Sequence, residues 1–209
     1  PLVMGNTVVL KVPDQTPLSP LYMGELIREV FPPGVINVIS GDGRTTGDAL
    51  VRHPRIKRIA LTGSVETGRL IQRAAAEVMI KHVSLELGGK NPMIVFPDAD
   101  IDKAVEGAAR GMNFHWSQGQ SCGSTTRLFL HEDIHDDFVQ RLKKRVERIV
   151  IGNPLDPATE MGCVVSKAQY DKASRYIALG LEQGATCLTG GKPPEGAEFA
   201  QGYFLRPTV

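Results

Sequence analysis

Apolar and polar positions along this chain follow two rhythms that take turns. Short runs rich in β-branched residues and leucine, at 7–11, 35–39, 56–61 and 82–87, suit buried strands, and Pro13 closes the first of them. Between these runs apolar residues recur at helical spacing. They predict a helix over 18–30 opened by Ser19 and Pro20, a short one reaching His53, and one over 65–79. Strands alternating with helices of this length call for right-handed crossovers and a parallel sheet covered on both faces, so the fold class is α/β.

Asn91 and Pro92 interrupt the pattern and mark the expected boundary between a first domain at 1–90 and a second at 91–209. Beyond it come a strand at 93–96 and a helix at 101–112 whose N-terminus carries Asp98, Asp100 and Asp102. A strand at 126–130, a helix at 134–149, a loop at 152–160 and a long amphipathic helix at 167–183 follow. Two last strands are predicted at 186–188 and 203–207, separated by a surface loop rich in glycine and proline. No internal repeat and no extended low-complexity tract is present.

With 209 residues, 42% hydrophobic and 22% charged, the chain suffices for one domain or parts of two. A formal net charge of +1 argues against a nucleic-acid partner or a charged membrane surface. The locally basic run at 141–148 is broken by Glu147 and has apolar residues at helical spacing, so it reads as a solvated helix face. Cys122, Cys163 and Cys187 form no C-x-x-C and cannot all pair, which fits a reducing, cytoplasmic setting. No apolar run reaches membrane-spanning length, and the N-terminus lacks a basic region followed by an apolar core.

The candidate chemistry lies in the stretch 116–127. Cys122 stands among Gly119, Gln120, Ser121 and Gly123, a setting that suits an irregular turn with an accessible sulfur. Cys163 and Cys187 have apolar neighbours and read as buried structural cysteines. Upstream, Glu86 sits between Leu85 and Leu87 and just before the pair Gly88 and Gly89. A thiol and a carboxylate beside such bendable backbone can divide the roles of nucleophile and general base. The flanking leucines are expected to give Glu86 apolar surroundings, as a base working near neutral pH requires; the competing reading is a strand-end carboxylate in water.

Other candidates are individually weak. Gly41, Asp42, Gly43 and Gly47 follow a strand and open a helix, but at a spacing one residue longer than the dinucleotide fingerprint. Thr62, Gly63 and Ser64 precede a helix, where free N–H groups and the positive dipole end suit a pyrophosphate; the same residues also suit a plain N-cap. Lys11 and Asp14 lie at the end of a predicted parallel strand, where α/β sheets bind ligands, or are simple surface charges. His131, Glu132 and His135 match H-E-x-x-H, but His131 ends a strand-like run and Asp133 reads as the cap of the next helix. The two histidines should therefore not share a helix face, and no metal site is expected.

Three motifs, LTGSVETG at 61–68, LELGGK at 85–90 and GQSC at 119–122, resemble signatures of the NAD(P)-dependent aldehyde dehydrogenase superfamily, in the family's order. LKVPDQTP at 10–17 and GYFLRPT at 202–208 are similar to two further family segments, so the likeness covers essentially the whole chain. It implies a Rossmann-like parallel sheet of a cofactor domain followed by part of a second α/β catalytic domain. Against that pattern the chain reads as an internal piece of a longer, homo-oligomeric enzyme.

What the resemblance implies for the site is specific. Cys122 matches the nucleophile that attacks the aldehyde carbonyl, and Glu86 the base that activates water to release the acid. Lys11 and Asp14 match the residues that hold the adenosine ribose; Gly43, Thr62, Gly63, Ser64, Leu87 and Gly88 complete the cofactor set, with Ser64 on the pyrophosphate. An acid at position 14 repels a ribose 2′-phosphate, so NAD is expected rather than NADP, although the family usually has Glu there. Phe114, Trp116 and Ser117 fall on the approach to the thiol; the two aromatics either line an apolar funnel for the substrate or, as aromatics at that spacing more often do, belong to the core. The implied function is oxidation of an aldehyde to a carboxylic acid with NAD. A cofactor-independent thiol esterase and a non-catalytic truncated chain are the competing readings, the former weakened because no histidine is placed by the sequence to activate the thiol.

Overall fold

The computed structural model describes residues 1–209, which divide into two compact units, Pro1–Leu87 and Gly88–Val209. In the first, β1 (Val8–Lys11) pairs in parallel with β2 (Ile36–Ile39), and β3 (Arg58–Gly63) with β4 (His82–Leu87). The crossovers are α1 (Leu18–Ile27) between β1 and β2, and α3 (Val65–Val78) between β3 and β4. A π-type turn at Gly43–Gly47 runs into the short α2 (Asp48–Arg52). The α/β class and parallel pairing are as expected, but the strands form separate two-stranded ladders rather than one continuous sheet.

Helix α1 is shorter than its apolar spacing suggests. It begins after Pro17, ends at Ile27 and buries none of its residues, so no packed surface rewards the extra turn. Helix α3 is held better. Ser64 caps it, accepting from Thr67 N–H at 3.1 Å, and the cap fixes where the helix begins. Gly68, one turn in, lets the helix lie directly on β4. A Cβ there would stand 3.1 Å from Leu87 Cδ2 and 3.2 Å from Leu85 Cδ1. Val51 of α2 joins Ala74 and Ala75 of α3 in a small core.

The second unit has one larger core. Strand β5 (Pro92–Val95) pairs in parallel with β6 (Arg127–Leu130), and two helices, α4 (Ile101–Gly111) and α6 (His135–Glu147), pack together beside them. Asp100 caps α4 through Lys103 N–H. Val105, Ala108 and Ala109 of α4, at i, i+3 and i+4, meet Phe138, Leu142 and Val146 of α6, at i, i+4 and i+8, so each helix presents an apolar stripe. Met93, Val95, Leu128 and Leu130 turn towards this core, while Ile94 and its register partner Phe129 face outward.

Three local expectations need correction. Residues 186–188 and 203–207 form no strand ladder; scattered backbone bonds join them instead to neighbouring extended chain, such as Leu188 N–H to Val209 O and Val164 N–H to Tyr203 O. Asp133 is not a cap. His131 accepts from Asp133 N–H at 3.3 Å and starts a single 3₁₀ turn, Glu132–Ile134, after which α6 begins at His135. The basic run at 141–148 is not simply solvated: Arg141 pairs with Asp102 and Asp137, and Arg145 with Glu106, tying α6 to α4. Long α7 (Lys167–Glu182), capped by Ser166, buries none of its residues fully.

Candidate active site

In the first unit the expected cofactor residues form two groups. At the ends of β1 and β2, Lys11 Nζ donates to Asp14 Oδ1, Val12 O and Gly41 O at 2.5, 2.9 and 2.7 Å. All three of its donors are thereby spent. Asp14 stays half exposed, with a second carboxylate oxygen open to an incoming hydroxyl. Beside them Asp42 accepts from Arg44 N–H, Thr45 N–H and the Thr45 hydroxyl, and this turn carries Gly43. The Thr45 hydroxyl, then its N–H, holds the Asp42 carboxyl below the usual carboxylate range. A Cβ at Gly43 would meet nothing within 4 Å, so the backbone there is open to a ligand.

The second group lies at the ends of β3 and β4, where the register sets Thr62 opposite Glu86 and Gly63 opposite Leu87. Thr62, Gly63 and Ser64 lead into the N-terminus of α3, whose first N–H groups have no intrahelical acceptor. The donor set fits a phosphate: a positive helix end beside small residues. Alternation along β4 overturns one expectation. Leu85 and Leu87 turn towards Gly68 of α3, so Glu86 points the opposite way and is exposed rather than wrapped in apolar side chains.

In the second unit Cys122 is exposed on the turn between the short α5 (Phe114–Ser117) and β6. Left-handed backbone at Asn113 (φ 59°) separates α5 from α4, and at Gln118 and Gly119 (φ 53 and 74°) it makes the reversal that frees the chain from α5. Ser124, only 1% exposed, anchors the far side by donating to Met112 O at 2.9 Å. Ser124 N–H returns to Ser121 O, and Gly123 N–H to Ser121 Oγ. Gly111 lies so close to Thr125 that a Cβ would collide with its hydroxyl, which sets the chain after the turn against α4.

The two other cysteines differ from their reading as buried. Cys163 is partly exposed, and Cys187 is exposed and donates its S–H to Thr189 O. Apolar neighbours in sequence did not bury them, because their segments lie in irregular chain that no helix or strand covers. Of the two aromatics on the approach, Phe114 is part of the core and Trp116 is 90% exposed. A cavity of about 670 Å³ opens beside the thiol-bearing turn, lined by Ser117, Gln118 and Gln120 on one side and by Gln169, Lys172 and Tyr176 of α7 on the other. Sequence reading missed the α7 contribution, since those polar residues look like any solvated helix face.

The family described as Aldehyde dehydrogenase family matches residues 1–209. Human retinal dehydrogenase 2 is 49% identical over all of this chain, which spans 39% of that protein. Aldehyde dehydrogenase tropH of Talaromyces stipitatus is 48% identical over 98% of the chain, again with 40% of its own length covered. Among solved structures, betaine aldehyde dehydrogenase of Staphylococcus aureus in complex with NAD+ superposes with a TM-score of 0.94 at 38% identity, over 99% of this chain and 41% of the other. The chain thus spans about two fifths of the length of the relatives it matches.

Proposed function

We propose a reaction from one premise: the chain belongs to the aldehyde dehydrogenase family. In the whole protein, residues 1–90 contribute to the cofactor domain and residues 91–209 carry the nucleophile. Together they serve the NAD-dependent oxidation of an aldehyde to a carboxylic acid. The observation that supports this best is the exposed thiol of Cys122 on a turn pinned at both ends, inside a match that runs the length of the chain.

The Cys122 thiolate attacks the aldehyde carbon, and the carbonyl oxygen takes up the negative charge. The backbone N–H of Cys122 is the oxyanion donor this chain offers. NAD, when bound, supplies the acceptor for the hydride that leaves the resulting thiohemiacetal, so the carbon is left as a thioester on Cys122. Glu86 takes a proton from a water that attacks this thioester; the acid departs and the thiol is restored. The Glu86 carboxylate faces away from the leucines and towards solvent, so a water can reach it, although the apolar surroundings expected of a base near neutral pH are absent.

Asp14 would accept from the adenosine ribose hydroxyls, with Lys11 orienting its carboxylate. Gly43, Leu87 and Gly88 would border the cofactor, and Thr62, Gly63 and Ser64 would present the α3 N-terminus to its pyrophosphate. An acid at position 14 would repel a 2′-phosphate, which favours NAD over NADP. Trp116, 90% exposed and close in sequence to the thiol, is the aromatic offered to an apolar aldehyde.

The test uses the full-length protein with a panel of aldehydes and NAD, following NADH absorbance. Cys122→Ala should abolish turnover, and Glu86→Gln should keep a single burst of NADH while losing steady turnover. Unchanged activity in Cys122→Ala would sink the reading. Ester cleavage without nicotinamide, and no NADH from any aldehyde, would favour the cofactor-independent thiol esterase.

A further inference from the structure

Asn91 looks in sequence like a boundary residue before Pro92, yet its side chain reaches the thiol-bearing turn. Its Nδ2 donates to Cys122 O at 2.7 Å and to Ser124 O at 3.2 Å, which spends both amide hydrogens on two carbonyls of one turn. The Asn91 backbone carbonyl accepts from Arg127 N–H at 3.1 Å, and Arg127 Nε donates to Lys90 O at 2.8 Å. The foot of β5 and the start of β6 are therefore locked together around the same amide.

The consequence falls on the two peptide planes that flank Cys122. The plane after it is held through its carbonyl by Asn91 and through Gly123 N–H by Ser121 Oγ. The plane before it is held through Ser121 O, which accepts from Ser124 N–H. With both planes set and the carbonyls of Cys122 and Ser124 turned inward onto the carboxamide, the direction of the Cys122 Cα–Cβ bond is set, from which the thiol swings only about χ1. No hydrogen bond within the turn could replace this grip, because Asn91 is the one side chain that bridges the two carbonyls.

We infer that Asn91 is a positioning residue for the nucleophile: its carboxamide, bridging the carbonyls of Cys122 and Ser124, sets how the Cys122 thiol is presented. This rests on the reading of Cys122 as the reactive thiol. The experiment is site-resolved alkylation of the full-length protein with iodoacetamide over a pH series, read by mass spectrometry, with the exposed Cys187 as an internal reference. Asn91→Ala removes the donor and the side chain. Asn91→Asp keeps the size, removes the donor and adds a negative charge.

In the parent, Cys122 is expected to react faster than Cys187. Both variants should slow Cys122 by about fivefold near neutral pH, the worth of roughly one net hydrogen bond. Its pH profile should move upward, more in Asn91→Asp than in Asn91→Ala, because a carboxylate beside the turn disfavours the thiolate. Cys187 should be untouched. Equal Cys122 rates and profiles in parent and variants would overturn the inference while leaving the nucleophile in place. A parent in which Cys122 reacts no faster than Cys187 would remove the premise instead. Parallel changes at both cysteines, with an earlier thermal melt, would show a purely structural role and also overturn it.

Discussion

The two units of this chain present their chemistry on very different foundations. Pro1–Leu87 displays its candidate residues at strand ends and a helix N-terminus, above a core of Val51, Ala74 and Ala75 with Val12 buried separately. Its outer apolar residues are bare: Val9 and Leu10 of β1 are 43% and 45% exposed, and Leu18 and Tyr22 of α1 more so. Gly88–Val209 closes a core of ten buried residues, among them Phe138, which is 0% exposed. The thiol turn is bolted to that interior through Ser124 and Gly111. A nucleophile must be held to a fraction of an ångström, whereas an elongated cofactor is gripped at many points. The better packed scaffold therefore carries the residue with the narrower tolerance.

The contrast can be broken most directly at Phe138. Truncation to alanine should cost about 4 kcal/mol, as for other fully buried aromatics, and lower the urea midpoint of the second unit. A loss no larger than that of a surface substitution would remove the claim that this core is the stronger one. Next comes Gly68→Val, which forces a branched side chain against Leu85 and Leu87. About 2 kcal/mol of destabilisation is expected, seen as faster amide exchange in β4 with protection of β6 unchanged.

A smaller effect concerns the α4–α6 clamp. Hydrogen bonds from Arg145, then Arg110, lower the Glu106 carboxyl from 4.5 to about 2. Since its folded value lies below the unfolded one, the stabilisation is complete above pH 4.5 and is lost as pH falls towards 2. Glu106 is 36% exposed, so solvent screening reduces the contribution to about 1 kcal/mol. Glu106→Gln should be less stable than the parent by that amount at neutral pH, and urea melts of the two should converge under strong acid. A gap that persists there would assign the difference to packing. Smallest of all, Val9→Thr on the exposed strand should shift stability by about 0.5 kcal/mol or less, and a larger loss in a thermal melt would mean that β1 is better covered than its exposure indicates.

What could be read locally was read correctly where a local cause suffices. Helix α4 starts where Asp100 can accept an N–H, and α7 where Ser166 can; the β-branched runs became parallel strands. Reading failed where neighbours in sequence were taken as neighbours in space. Leu85 and Leu87 flank Glu86 along the chain, but strand alternation sends them to the other face. The run at 203–207 has strand-like composition and finds no partner to complete a ladder, while Cys187 has apolar neighbours and no layer above it.

The sequence by itself determined the α/β alternation, the family and the identity of the candidate thiol and carboxylate, because short-range spacing and motif carry that information. Only the tertiary structure decided which way Glu86 faces, that Lys11 spends all its donors on Asp14 and nearby carbonyls, and that Asn91 reaches across to Cys122 and Ser124. Those facts depend on segments distant along the chain meeting at fixed register. Hydrogen-bond direction is set by that meeting and leaves no trace in the local pattern of apolar and polar residues.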